Sequence, residues 1–231
     1  MNKLSEMIWQ RGSARQIMRE ARKRLNDAVA PGQFIGAYVA LASAHYSLIG
    51  RYTEHWWQMP LALWHWRRAL VHARTAKMLG LPNWGHVDVV ARVLSKGSRL
   101  DIFQAWRSLH QALHDIAPFK RAEMKPHARA LMTITLAEIE WGWKNQDIAF
   151  RLYAEALDLV SDVEDESEPD RDRQLTRILS ALGFFYFEHG GELRDTGLNL
   201  ILEALELAKK CSRDQEMKIR ARARKLGVII G

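Results

Sequence analysis

The stretch LSALGFFYFEHGGELRDTGLNLILEALELAKK, residues 179–210, decides the fold. Phe184, Phe185, Tyr186 and Phe187 stand side by side, so a helix carrying them is apolar all round and must be covered all round. Such a helix belongs to an inner layer. Gly190-Gly191 interrupts it, and NLILEALELA then resumes a helical period in which small Ala204 follows bulky Ile201 by three residues on one face.

The same pattern recurs upstream. WHWRRALVHA (64–73), WRSLHQALHDIAP (106–118) and RLYAEALDLV (151–160) each set an alanine, Ala69, Ala112 or Ala156, three residues after Trp66, Leu109 or Tyr153. Small residues let two helices approach closely, and the bulky neighbour fills the space beside them. Ahead of each segment lies a second helical pattern with a large-then-small pair: Leu41-Ala42, Val90-Ala91, Leu136-Ala137 and Leu182-Gly183. Turn signals at Gly97, Lys144-Asn145 and Gly190-Gly191, where glycine or asparagine can take positive φ, separate three of these pairs of helices. The unit is helix, turn, helix.

In these residues the chain resembles the tetratricopeptide family, whose unit carries a Leu-Gly pair and an aromatic on its first helix and an Ala-Leu pair on its second. The last unit matches through Leu182, Gly183, Tyr186, Gly190, Gly197, Ile201, Ala204 and Leu205, and the third through Leu136, Ala137, Ala149, Tyr153, Ala156 and Leu157. The alanine-to-alanine spacings exceed the family's period, as they do in tetratricopeptide-like regulatory domains of bacteria. The resemblance implies an all-α chain, a right-handed α-α solenoid of about four helix-turn-helix units with terminal capping helices. The expected parts are a basic N-terminal helix (1–33, a cap or half repeat), four units over 34–210 (34–80, 84–118, 126–161 and 172–210), and a C-terminal cap (211–231). Helices are expected near 13–29, 34–51, 60–80, 85–96, 100–116, 126–143, 147–161, 172–189, 193–210 and 213–229. In the last, Met217, Ile219 and Leu226 would dock, with Arg220, Arg222 and Arg224 in water.

Apolar residues at 48% and charged residues at 26% fit an ordered, helix-rich chain rather than a disordered one. Cys211 is the single cysteine, which excludes an internal disulfide framework and fits a reducing compartment. No run of eighteen apolar residues and no N-terminal signal pattern is present, so a cytoplasmic location without a membrane partner is expected. The net charge of +7 is uneven: residues 1–127 hold 19 Lys+Arg against 8 Asp+Glu, and residues 128–231 hold 15 against 19. The cationic first half would attract acidic partners or nucleic acid.

No nucleophile elbow, phosphate-binding loop or HExxH motif occurs, so the chain is expected to be no enzyme and to need no cofactor or metal. His110 and His114 stand at i, i+4, a spacing that can hold a metal but that also arises on an ordinary polar helix face. Trp56, Trp57, Trp64 and Trp66 are read as inter-helix packing, with an exposed binding role for one of them as the alternative. The acidic run 162–172 reads as a solvated connection.

A repeat scaffold of this kind works through its concave face. The family resemblance places Val39, Ser43 and Tyr46, then Asp88, Arg92, Ser95 and Lys96, then Ile134, Glu138 and Trp141, then Arg177, Ser180, Phe184 and Phe187 in that groove. A non-catalytic adaptor that binds a peptide or protein segment is the leading expectation, with Arg92 and Lys96 holding acids and Trp141, Phe184 and Phe187 holding apolar side chains. The alternative is nucleic-acid binding through Arg15, Arg19, Arg22, Lys23, Arg24, Arg67, Arg68 and Arg74. Self-association through a Trp-rich face is a third.

Overall fold

The computed structural model describes residues 14–52, 56–81, 84–114, 124–164, 171–189 and 191–228. The connections at Pro82, Pro118 and Pro169, the acidic residues 165–170, Gly190, His55 and the Trp56 side chain lie outside the described residues. Among the described residues every regular element is helical and no strand occurs, as the paired-helix pattern requires.

The chain divides into two compact units, Met1–Glu123 and Met124–Gly231. Unit 1 contains α1 (Ala14–Asp27), α2 (Pro31–Tyr52), α3 (Met59–Met78), α4 (Trp84–Leu94) and α5 (Arg99–Leu113). Unit 2 contains α6 (Pro126–Gly142), α7 (Gln146–Asp158), the single-turn α8 (Val160–Glu164), α9 (Arg171–His189), α10 (Arg194–Cys211) and α11 (Arg213–Lys225). Consecutive helices pair: α2 with α3, α4 with α5, α6 with α7 and α9 with α10. The first helices of neighbouring pairs also touch, α2 with α4 in unit 1 and α6 with α9 in unit 2. No helix of the described residues is long and apolar enough to cross a membrane.

Alanine dictates the pairing in unit 1. Ala62, Ala69, Ala73 and Ala76 of α3 are all buried, as are Ala37, Ala40 and Ala44 of α2. At 3.6 residues per turn the four α3 alanines fall on one face, which brings the helix close to its partner. α1 adds Ala14, Ile17 and Ala21 to a cluster with Leu41 and Leu48, on the stripe its sequence lays out.

The α5 start is locked by a capping box. Asp101 accepts from the Ser98 backbone N–H (2.8 Å) and the Ser98 hydroxyl (2.7 Å), while the Ser98 oxygen accepts from the Asp101 N–H. Arg74 of α3 then donates to both Asp101 carboxylate oxygens, at 2.7 and 2.6 Å. The guanidinium contact, followed by the Ser98 hydrogen bonds, holds the buried carboxyl down at about 2. Gly97 is needed for proximity rather than for positive φ, since a Cβ there would meet Asp101 and Leu70. Asp101→Asn should cost about 2 kcal/mol in urea denaturation, because charge-assisted hydrogen bonds are replaced by weaker neutral ones. A loss below ~0.5 kcal/mol would contradict this lock.

The α6–α7 corner corrects a detail of the sequence reading. Lys144, not Asn145, takes the left-handed conformation (φ 69°), while the Asn145 N–H reaches back to the Glu140 carbonyl at 3.0 Å. This is a Schellman closure with a lysine where glycine is favoured. Asn145 instead uses its side chain, donating to the buried Glu140 carboxylate at 2.7 Å. Lys144→Gly should raise stability by about 0.5–1 kcal/mol, read as a higher thermal midpoint, by removing the Cβ penalty of that backbone region.

In unit 2 the aromatic run is covered as a helix apolar all round must be. Phe184, Phe185 and Tyr186 are buried, and Phe185 stacks on Tyr153 with centroids 3.6 Å apart. The last helix, α11, docks through Ile219 and Ala223, with Val228 just beyond its end also buried, while Met217, expected to dock, is exposed.

Candidate functional site

Only part of the groove expected on the first helices is closed off, at Val39, Asp88, Ile134 and Phe184, and its other residues are half-buried or exposed. Val39 and Ile134 are buried. Phe184, expected to grip a ligand, is only 3% exposed. The cap helix covers it: the Arg222 guanidinium lies 4.4 Å from the Phe184 ring centre and is held by Glu188 at 2.7 Å. Arg222 is thus a packing residue rather than a merely solvated one. Phe187 is half-buried, with Arg194 at 4.5 Å from its ring centre. Trp141 is half-buried among Phe150, Phe185 and His189, Glu138 is exposed, and Arg177 donates to Gln174 at 2.8 Å. In unit 1, Tyr46 is half-buried, Arg92 is ion-paired with Asp88 one turn earlier, and Lys96 is exposed with its carbonyl accepting from the Trp66 indole at 3.2 Å. Arg92 is therefore already neutralised by its own helix.

The exposed apolar surface lies elsewhere. Among the described residues, eight of the sixteen exposed large hydrophobic ones fall between Trp57 and Leu79. Trp57 and Trp64, read from sequence as packing, are among them. On α3 the bulky residues Leu61, Trp64, Val71 and Met78, from 45 to 80% exposed, share one face with Arg68 and Thr75. The intervals are 3, 4, 3, 4 and 3 residues, the spacing of a helix-pairing seam. The buried alanines occupy the other side of the same helix. α5 carries a further row of rings, Phe103 stacked on Trp106, Trp106 against His110, and His110 stacked on His114.

Sequence reasoning missed this seam, although a signal was present. In a helix with both an alanine stripe and a bulky stripe, the alanines mark the close-packed side and so turn the large residues outward.

Beneath the seam lies a histidine nest. The His45 and His65 Nδ1 atoms are 2.8 Å apart, so one proton is shared between two rings. His72 lies against His45 with centroids 5.5 Å apart, and its buried Nδ1 has no hydrogen-bond partner. Tyr52 stacks on His65, Tyr38 on His72, and the Trp64 ring meets both His45 and His65 edge-on. Burial, followed by His65, His72, Arg22 and Arg68, pushes His45 down to about 4. Burial also lowers His65, and burial with Arg68 and Arg22 lowers His72. No group of three His, Cys, Asp or Glu side chains among the described residues could hold a metal ion.

The cationic residues divide into two sets. Arg15, Arg19, Arg22 and Lys23 are exposed on α1, and Arg67 and Arg68 are exposed on α3. Arg24 is paired with Glu20 at 3.3 Å, and the Nε and Nη2 atoms of Arg74 both donate to Asp101. Neither Arg67 nor Arg68 has a carboxylate partner among the described residues. No family model, curated protein or solved structure matches the chain.

Proposed function

We propose that the chain is a non-catalytic adaptor or regulatory module, a right-handed α-α solenoid of about four tetratricopeptide-like units that binds a peptide or protein segment. The paired helices, with first helices touching within each unit, support the repeat reading. The observation that carries the docking reading is the concentration of exposed apolar side chains on the cationic unit, between Trp57 and Leu79. Exposed apolar surface of this kind marks interaction sites, with aromatic anchors supplying most of the binding and charge supplying speed and orientation. The binding face is thus moved from the first helices to α3.

Affinity capture with the full chain from nuclease-treated lysate tests the adaptor. Protein partners that survive about 0.3 M salt and are recovered equally by wild type and by a Glu138→Lys control are expected. Recovery of nucleic acid alone would overturn it.

The exposed α1 row of Arg15, Arg19, Arg22 and Lys23 favours a second reading, nucleic-acid binding. Contacts to about four phosphates would give a log–log salt slope near −3.6 on duplex DNA, which filter binding measures. A flat slope would exclude it.

A further inference from the structure

We propose that the α3 seam formed by Leu61, Trp64, Arg68, Val71 and Met78 is a docking site for one amphipathic helix with acidic flanks. The proposal rests on the adaptor reading and names its partner.

The shape of the partner follows from the spacing. Residues recurring at 3 and 4 along Leu61 to Met78 face outward as one strip, and the complement of a 3.5-residue strip is another helix with the same repeat. The strip spans about 26 Å at 1.5 Å per residue, enough for two and a half heptads of contact. An extended peptide would match only part of it, because its side chains alternate at a different period.

The charge of the partner follows from Arg67 and Arg68. Arg68 sits within the strip, its guanidinium 5.6 Å from the Trp64 ring centre, and Arg67 lies on its flank. Both are exposed without an acidic partner among the described residues. A helix with glutamates beside its apolar row satisfies both arginines as it covers the leucine, valine and methionine. A second copy of the same strip fits poorly. Antiparallel pairing about the strip's centre sets Arg67 and Arg68 of each copy close to those of the other, and like charges in such a seam oppose pairing. The first half of the chain, with 19 Lys+Arg against 8 Asp+Glu, adds to that repulsion.

The probe is a synthetic 21-residue peptide of three heptads with leucine at both seam positions and glutamate on both flanks, compared with the same peptide carrying lysine on the flanks. Titration calorimetry with the full chain should show the acidic peptide binding at least tenfold more tightly than the basic one. Val71→Asp with Met78→Ser should weaken it at least tenfold, while Leu202→Asp on α10 should leave it unchanged. Arg67→Glu with Arg68→Glu should invert the preference between the peptides. Amide exchange on bound protein should slow across α3, and circular dichroism of each variant should match wild type, since all four replaced side chains on α3 are exposed.

Absence of acidic-peptide binding, or binding indifferent to the seam variants, overturns the proposal. So does a dimer in sedimentation that Val71→Asp dissolves, or attachment to phosphatidylserine vesicles that the same variant abolishes while the peptide stays unbound. Captured partners retained by Val71→Asp with Met78→Ser would sink this seam and leave the adaptor reading on another surface.

Discussion

Gly197→Ala is expected to cost about 3 kcal/mol and to unfold α9 and α10 together. The two helices cross with their backbones in contact. A Cβ on Gly197 would run into the backbone nitrogen of Phe187, the Gly183 carbonyl oxygen at 2.8 Å and the Tyr186 carbonyl carbon at 2.9 Å. Backbone cannot rotate aside as a side chain can, so the helices would have to separate and open the cluster holding Leu182, Phe185, Ile201 and Leu205. Gly183→Ala should show the same sign with a smaller cost, since part of what its Cβ meets is the Ile201 side chain. Urea denaturation followed by hydrogen exchange resolves the effect. Protection should fall in α9 and α10 and stay unchanged in α1–α3, which belong to the other compact unit. A loss below ~1 kcal/mol would mean that the crossing is looser than the structure places it.

Mild acid should loosen the other unit first. His45, His65 and His72 bind protons less readily when folded than when unfolded, because burial penalises the imidazolium at each, and at His45 the other two rings add to the opposing charge. A folded pKa below the unfolded value means that the stabilisation is complete above pH 6.5 and is lost as pH falls toward 4. For His45, 1% exposed with a folded value of about 4, the loss is on the order of 3 kcal/mol once developed. Arg22 of α1 and Arg68 of α3 face the nest and push in the same direction, while Tyr38, Tyr52 and Trp64 bring no negative charge. Hydrogen exchange between pH 7 and 4.5, corrected for intrinsic rates, should therefore show α2 and α3 losing protection before α9 and α10. His45→Gln should flatten that dependence. An equal loss in both units, or no change in His45→Gln, would contradict the role of the nest.

Asp101 behaves in the opposite range. Its folded pKa of about 2 lies below the usual carboxylate value, so the capping-box contribution persists through the window in which the histidines titrate and fails only in strong acid. The two transitions should thus be separable by pH alone.

Local spacing determined the helices and their pairing. Alanine at 69, 112, 156 and 204 behind a bulky residue, and the large-then-small pairs ahead of them, fix which faces can approach, because helix geometry converts sequence interval directly into direction. The run Phe184 to Phe187 likewise announced an inner layer, and the aromatic helix is covered. Tertiary structure alone decided which residues remain free. Phe184 was lost to the ligand because a helix some forty residues downstream lays Arg222 over it. Arg92 was neutralised by Asp88, and Arg74 by an aspartate twenty-seven residues away. His45, His65 and His72, scattered in sequence, became one nest only when α2 folded onto α3. Periodicity says which side of a helix is apolar; it does not say whether another helix arrives to cover it, since that depends on long-range contacts that no local interval encodes.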